Sequence, residues 1–571
     1  MEALDWLVIG VFFLALIGII VWVVRQKQND SADYFLGGRD ATWLAIGASI
    51  FASNIGSEHL IGLAGAGASS GMAMAHWEIQ GWMILILGWV FVPFYTRSMV
   101  YTMPEFLERR YNPQSRTILS VISLVSYVLT KVAVTVYAGG LVFQQVFGIK
   151  ELWGIDFFWI AAIGLVVLTA LYTIFGGMKS VLYTSVLQTP ILLLGSLIIL
   201  VLGFKELGGW DEMMRVCGAV TVNDYGDTMT NLIRSNDDAN FPWLGALIGS
   251  AIIGFWYWCT DQFIVQRVLS GKNEMEARRG TIFGAYLKLL PVFLFLIPGM
   301  IAFALHQKYI GAGGEGFLPM FENGTANADA AFPTLVAKLL PAGVKGLVVC
   351  GILAALMSSL ASLFNSSAML FTIDFYKRFR PQTSEKKLVG IGQVATVVIV
   401  ILGILWIPIM RSVGDVLYTY LQDVQSVLAP GIAAAFLLGI CWKRTSAQGG
   451  MWGLISGMVI GLTRLGAKVY YSNAGEVADS TFKYLFYDMN WLFFCGWMFL
   501  FCIIVVIVVS LATEAPTAEK IQGLVFGTAT KEQKASTRAS WNHWDIIHTV
   551  IILAITCLLY TSPSPRDRQK S

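Results

Sequence analysis

The chain has 571 residues, of which 56% are hydrophobic and only 13% charged, with a formal net charge of +3 and a mean hydropathy of +0.66. A soluble protein carries about a quarter charged residues, so this balance excludes an ordinary soluble domain, and the near-neutral charge leaves no electrostatic footprint for nucleic acid. The apolar residues fall in runs of about 20, long enough to cross a bilayer as helices and too uniformly apolar for barrel strands.

In chain order, fourteen apolar segments are expected, at roughly 5–24, 43–70, 74–96, 117–146, 155–174, 182–203, 243–266, 281–305, 343–372, 388–410, 415–441, 448–468, 490–512 and 544–561. The first has no basic residues before it and reads as a retained span rather than a cleaved signal. Arg and Lys cluster in alternate loops, from Arg25, Lys27 and Arg39 to Lys531, Lys534 and Arg538, which the positive-inside bias makes cytoplasmic. Both termini are then external. The two long opposite loops, 204–242 and 306–342, are rich in Asp, Glu, Gly and Asn, and the second holds a short acceptor-like NGT at Asn323. Six of the seven cysteines lie in apolar runs and only Cys217 in a polar loop, so no external disulfide is expected.

The second and seventh segments are interrupted, by SNIGSEH at Ser53–His59 and by WYWCTDQ at Trp256–Gln262. They open two successive blocks of five segments, 43–203 and 243–441, and an odd number inverts the second block relative to the first. Interrupted spans at matching places in two halves point to a transporter binding site. If the first helix unwinds near Ser53–Gly56, it frees carbonyl oxygens that cost several kcal/mol in lipid unless something binds them. A hard cation such as sodium is one partner, and a polar helix–helix contact without a ligand is the alternative. In the ninth segment Ala355, Ser358 and Ser359 share one helical face, which suits either oxygen ligands or small-residue packing.

Ionisable residues inside membrane spans are functional candidates, and Glu58, His59, Glu78, Asp261 and Lys288 are the clearest. Carboxylates and amides suit hydroxyl groups, and aromatic faces suit the C–H side of a sugar ring. Trp77, Trp256, Tyr257, Trp258 and Tyr418 could supply such faces, although packing and interfacial anchoring are the commoner uses.

The stretches DYFLGGRDATWLAIGASIFASNIGSEHLIGLAGAG, WYWCTDQFIVQRVLSGK, AYLKLLPVFLFLIPGM, LAALMSSLASLFNSS and APGIAAAFLLGICWKR together resemble the sodium/solute symporter family in its sodium–glucose cotransporter branch, over about residues 5–512. The resemblance implies an all-α polytopic membrane protein of about fourteen transmembrane helices with two inverted five-helix repeats of the leucine-transporter type. By position it puts co-transported Na+ on the carbonyls of Ala52, Ile55 and Ala355 and the hydroxyls of Ser358 and Ser359. It puts sugar among His59, Glu78, Lys288 and Gln422, with Glu58 and Trp258 beside it. Tyr257, held by Asn54, would stack against the sugar ring as the inner gate, and Leu63, Trp77 and Tyr418 would close the outer side.

Two positions depart from the family pattern. Ser185 stands where some relatives carry an aspartate near an extra sodium site, so one sodium per sugar is expected. Gly254 stands where a bacterial relative has a sugar-contacting asparagine.

The implied organisation is a first helix and cytoplasmic loop (1–42), the first repeat (43–203), an external loop (204–242), the second repeat (243–441), two peripheral helices (442–512), a flexible polar cytoplasmic insert (513–543) and a short last helix with an atypical tail (544–571). The final run, Ile546–Tyr560, spans only about 22 Å as a helix, short of the ~30 Å hydrocarbon core. The tail after it reads as foreign sequence whose removal leaves transport intact.

The expected function is sodium-coupled symport of a neutral monosaccharide, glucose or galactose first, by alternating access in the cell membrane, with a monomer sufficient. The alternatives are symport of myo-inositol, sialic acid or an amino acid, a sugar sensor without transport, or a sodium-permeable channel. The insert is too short for a signalling domain and no enzyme motif is found.

Overall fold

The computed structural model describes residues 1–26, 30–56, 58–321, 324–411, 417–473 and 478–561. Asn323, Ser57 and the tail from 562 lie outside the described residues, as does the side chain of Tyr418. Among the described residues the chain is almost wholly helical, and its one ladder is the two-residue pair Glu151–Leu152 with Ile155–Asp156. Ten of these helices are long and apolar enough to cross a membrane, from Ala3–Arg25 to His543–Thr561, and Trp43–Asn54 and Ala133–Phe147 are shorter apolar helices. The expected total of fourteen crossings requires long helices to be divided. Phe157–Leu207 is one such case, with 51 residues and a sharp bend at Gly177 (φ 52°, ψ −148°). At 1.5 Å per residue it measures about 76 Å, enough for two crossings of a ~30 Å core.

Both expected interruptions are present. Trp43–Asn54 ends at Ile55, whose backbone is extended (φ −79°, ψ 105°), and the chain resumes as a wide turn at Glu58–Leu63 and a helix at Ala64–Ser70. The amides of His59 and Leu60 restart it by donating to the Gly56 carbonyl at 3.1 and 3.2 Å. Gly56 has a steric reason to be glycine, because a Cβ there would lie 2.7 Å from Ser359 Oγ. Trp243–Gly254 runs into a wide turn at Phe255–Thr260 and stops at Asp261 (φ −76°, ψ 127°), whose side chain caps Gln262–Leu269 through Phe263 N. The two broken helices are tied at one end, where Ala41 N donates to Ser270 O at 3.0 Å and Lys272 N to Ala41 O at 3.1 Å.

Val344–Met369 packs along Phe157–Leu207, and both pack on Trp43–Asn54, so three helices enclose the first break. Leu417–Cys441, Ala447–Asn473 and Trp491–Ala512 form a second group, in which a Cβ on Gly457 would lie 2.6 Å from Gly431 Cα. Their apolar faces make a small separate cluster of Val427, Ala434, Phe494, Met498 and Cys502.

Two expectations need correction. The insert at 513–543 is docked rather than flexible. Its helix Lys531–Ala539 opens on a capping box between Thr530 and Gln533, and Thr537 and Ser540 bond to Glu274 at 3.3 and 3.2 Å. The last helix is longer than the run Ile546–Tyr560. It begins at His543, where Asn542 accepts from Trp544 N at 2.9 Å, and its 19 residues measure about 28 Å at 1.5 Å per residue.

Candidate functional site

A small cavity of about 30 Å³ lies between the two breaks, lined by Asn54, Glu58, His59, Trp77, Glu78, Gln80, Ile253, Gly254, Tyr257, Trp258, Lys288, Gln422 and Gln425. Its polar groups form a connected chain. Lys288 Nζ donates to Glu78 Oε2 at 2.6 Å and to Asn54 Oδ1 at 3.3 Å. His59 Nε2 lies 3.3 Å from the same carboxylate oxygen. Asn54 Nδ2 donates to the Tyr257 hydroxyl at 3.1 Å. A buried carboxylate is tolerable only when paired and hydrogen-bonded, which Lys288 and His59 achieve for Glu78. Aromatic faces border these groups. Lys288 sits 5.4 Å over the Trp258 ring, and Trp258 is edge-on to Tyr257 at 5.0 Å.

Two cavity groups are left open. Among the described residues Gln422 Oε1 and Trp77 Nε1 are buried without hydrogen-bond partners, one an acceptor and the other a donor. Buried polar atoms cost about 1–3 kcal/mol when unpaired, so both are places where a polar solute would be held.

Serine hydroxyls and backbone carbonyls cluster on one side of the first break. Ser359 Oγ donates to Ser53 O at 3.0 Å and lies 3.2 Å from Ile55 O. Ser358 Oγ is 3.3 Å from Ser185 Oγ, and Ser53 Oγ is 2.7 Å from Ser362 Oγ. Ala52 and Ala355 are buried beside them. Carbonyl and hydroxyl oxygens without a charged group are a donor set for a hard monovalent cation. The hydroxyl of Ser359 occupies two of the carbonyls freed at the break, those of Ser53 and Ile55.

At the second break the groups are charged. Asp261 accepts from Lys131 Nζ at 2.7 Å and from the Tyr127 hydroxyl. The Lys131 ammonium also stands 4.7 Å from the centre of the Tyr257 ring and 4.7 Å from that of Phe263.

The structure thus brings Asn54, Glu58, His59, Trp77, Glu78, Tyr257, Trp258, Lys288 and Gln422 to one cavity, and Ile55, Ser358 and Ser359 to one cluster. Leu63 is fully buried and is not part of the cavity lining. Gln80, Gln425, Lys131 and Tyr127 were missed by sequence reasoning. A Cβ on Gly254 would lie 2.3 Å from Gln80 Oε1, so the Gln80 amide occupies the space that a larger residue at 254 would need. Lys131 carried a visible signal, a lone lysine in an apolar run.

Two interrupted helices that border one buried polar cavity define a secondary transporter. Comparison with known proteins makes the class more specific. Residues 34–457 match the model of the sodium:solute symporter family. The chain is 36% identical over 542 residues to the human sodium/myo-inositol cotransporter 2, covering 92% of this chain and 79% of that protein. It is 36% identical over 560 residues to the Danio rerio sodium/glucose cotransporter 4, covering 95% and 84%. A solved sodium-coupled sialic acid symporter shares the fold, with a TM-score of 0.71 at 21% identity over 90% of this chain and 99% of that one. The chain belongs to the sodium:solute symporter family. It is a polytopic sodium-coupled solute symporter, a transporter and not an enzyme.

Proposed function

We propose that the solute is a neutral, ring-shaped polyol, either a hexose such as glucose or galactose or the cyclitol myo-inositol. The observation that carries this is the hydrogen-bonding content of the cavity: one shared carboxylate, amides at Asn54, Gln80, Gln422 and Gln425, and aromatic walls. Hydroxyls both donate and accept, so a polyol can satisfy Gln422 Oε1 and Trp77 Nε1 together. A carboxylate solute fits less well, because Glu58 and Glu78 already outnumber the one lysine lining the cavity. The printed names of similar relatives include both a myo-inositol and a glucose cotransporter, which supports the same class without choosing within it.

Sodium is the co-transported substrate. In this reading it binds the oxygens of Ala52, Ile55, Ala355, Ser358 and Ser359, replaces the Ser359 contacts at the break, and fixes the helix from which Asn54, Glu58 and His59 reach the solute. Trp77, Leu63 and Tyr418 close the outer side, and Tyr257 closes the inner side. Both ligands leave inward once the gates exchange. A potential of 100 mV contributes about 2.3 kcal/mol per charge, so one sodium sustains roughly fiftyfold accumulation before its own gradient is counted. The protein acts in the cell membrane with both termini outside, and a monomer suffices.

Uptake of labelled glucose, galactose and myo-inositol into proteoliposomes, with and without an inward sodium gradient, tests this. Sodium-driven accumulation of at least one is expected. Accumulation only of an anionic or zwitterionic solute would sink the polyol assignment.

A further inference from the structure

Trp77 meets more than the cavity. Its indole is stacked on that of Trp491, with ring centroids 5.5 Å apart and planes at 25°, and it is edge-on to Phe241 at 6.3 Å. Both partners come from outside the two five-segment blocks. Trp491 is the first residue of Trp491–Ala512, and Phe241 closes the loop that precedes the second broken helix. All three rings are buried. The Trp77 Nε1 donor has no partner among the described residues, so it is the rings, and no hydrogen bond of its own, that position this side chain.

Polar ties join the two partners and anchor them. Asn490 caps Trp491–Ala512 by accepting from Leu492 N at 2.9 Å, and its Nδ2 donates to Ala239 O at 2.7 Å, so helix start and loop end are one piece. The Arg234 guanidinium lies 5.5 Å over the Phe241 ring and 3.6 Å from Asp238, which itself accepts from Phe241 N at 2.7 Å. Arg234 also donates to the carbonyl of Ser70, the last residue of the outer half of the first broken helix. Loop, peripheral helix and broken helix therefore converge on one tryptophan.

We propose that Trp491 is a positioning residue for solute entry: with Phe241 it clasps Trp77 over the cavity, and the clasp loosens each time a solute passes. The proposal rests on the reading of Trp77 as an outer gate and extends it. A helix outside the repeats becomes part of the gate, and the loop 204–242 becomes the strap that carries Phe241. Aromatic stacking is worth about two- to twelvefold in an equilibrium, enough to bias a gate without locking it.

The test uses the full chain in membranes with a single reporter, Ile253→Cys in the cavity wall, after the exposed Cys441 and Cys557 are changed to serine. A membrane-impermeant thiol reagent is added from the outside. Trp491→Ala is expected to raise the labelling rate roughly two- to twelvefold, and Trp491→Phe, which keeps a stacking ring, to stay within about twofold of the parent. In uptake, Trp491→Ala should move the solute KM while the sodium requirement stays in place. An unchanged labelling rate in Trp491→Ala overturns the proposal. So does equal opening in Trp491→Phe, because the ring would then not be the holding element. If Trp491→Ala does not reach the membrane, Asn490→Ala removes the tie to Ala239 together with the cap on Leu492 N and carries the same expectation. Absence of sodium-driven polyol uptake in the parent would defeat the assigned solute, while the labelling rates would still decide the clasp.

Discussion

The two helix breaks solve one problem in opposite ways. Each frees backbone groups inside the protein, where unpaired polar groups are costly. At the second break the protein supplies its own ions: Asp261 caps the new helix and pairs with Lys131 at 2.7 Å. Arg267, two turns on, is fully buried against the Phe263 ring at 5.1 Å, so a second cation stands near this break. At the first break Asn54, Glu58 and His59 line the cavity, while the serine cluster beside them supplies the neutral hydroxyls of Ser53, Ser185, Ser358, Ser359 and Ser362. Their mutual contacts, at 2.7 to 3.3 Å, use hydroxyls that a cation could draw away at little cost. A break with a built-in cation is a permanent part of the scaffold. A cluster of neutral oxygens suits the proposed ion site, because a coupled transporter needs a site that is stable with and without its ion.

The largest effect should follow from breaking the permanent site. Lys131→Met leaves Asp261 charged and unpaired, and removing one partner of a buried pair costs about 3–5 kcal/mol. Loss of folded protein, or of all uptake at any sodium concentration, is expected. Lys131→Met with Asp261→Asn should recover part of the loss, because the unpaired carboxylate is removed. Size-exclusion chromatography and uptake would read both variants. A single variant with normal transport would show that this break does not depend on its own cation.

Next comes the ion site proposed at the first break. Ser359→Ala removes one hydroxyl from the cluster, and contacts to charged groups are worth about 1.5–3 kcal/mol. The sodium concentration for half-maximal uptake should rise about tenfold or more, with solute affinity little changed at saturating sodium. Unaltered sodium dependence would remove Ser359 from the site. Glu78→Gln, between the breaks, should do the reverse. It weakens the charge-assisted contacts to Lys288 and to a solute hydroxyl, so solute affinity should fall about tenfold while sodium-induced stabilisation persists. Calorimetry with each ligand separates the two variants. Equal loss of both ligands in either one would mean that ion and solute share a single site.

This contrast was only half legible in the sequence. Polar residues inside apolar runs mark both breaks, because lipid tolerates irregular backbone only where something satisfies it. Glu58, His59, Glu78 and Lys288 were likewise visible as ionisable residues in spans, and the structure places all four at one cavity. Periodicity says nothing about which residue faces which across distant segments. The pairing of Lys131 with Asp261, the Gln80 amide over Gly254 and the stack of Trp77 on Trp491 join positions 130, 174 and 414 apart in sequence. The insert misled for the same reason. A polar stretch looks mobile until the groups that receive it, Glu274 and Arg278, are known to stand opposite.

The smallest expected effect sharpens the comparison most, because it moves one break toward the other. Ser185 Oγ donates to Val181 O at 2.6 Å and lies 3.3 Å from Ser358 Oγ and 3.5 Å from Ser49 Oγ. Ser185→Asp would place a carboxylate among these hydroxyls with no lysine or arginine bonded to them. Without sodium, that charge is buried and uncompensated, and the variant should melt below the parent. With sodium, the ion supplies the missing cation, so the sodium-induced rise in Tm should exceed that of the parent, and the sodium requirement should fall by a few-fold. The neutral break would thus acquire the logic of the charged one, with sodium in the role that Lys131 plays at Asp261. Coupling measured from reversal potentials should be near one sodium per solute in the parent and should move upward only if the new carboxylate holds a second ion of its own. A variant whose stability ignores sodium would show that position 185 does not face the ion, and the neutrality of the first break would then need another explanation.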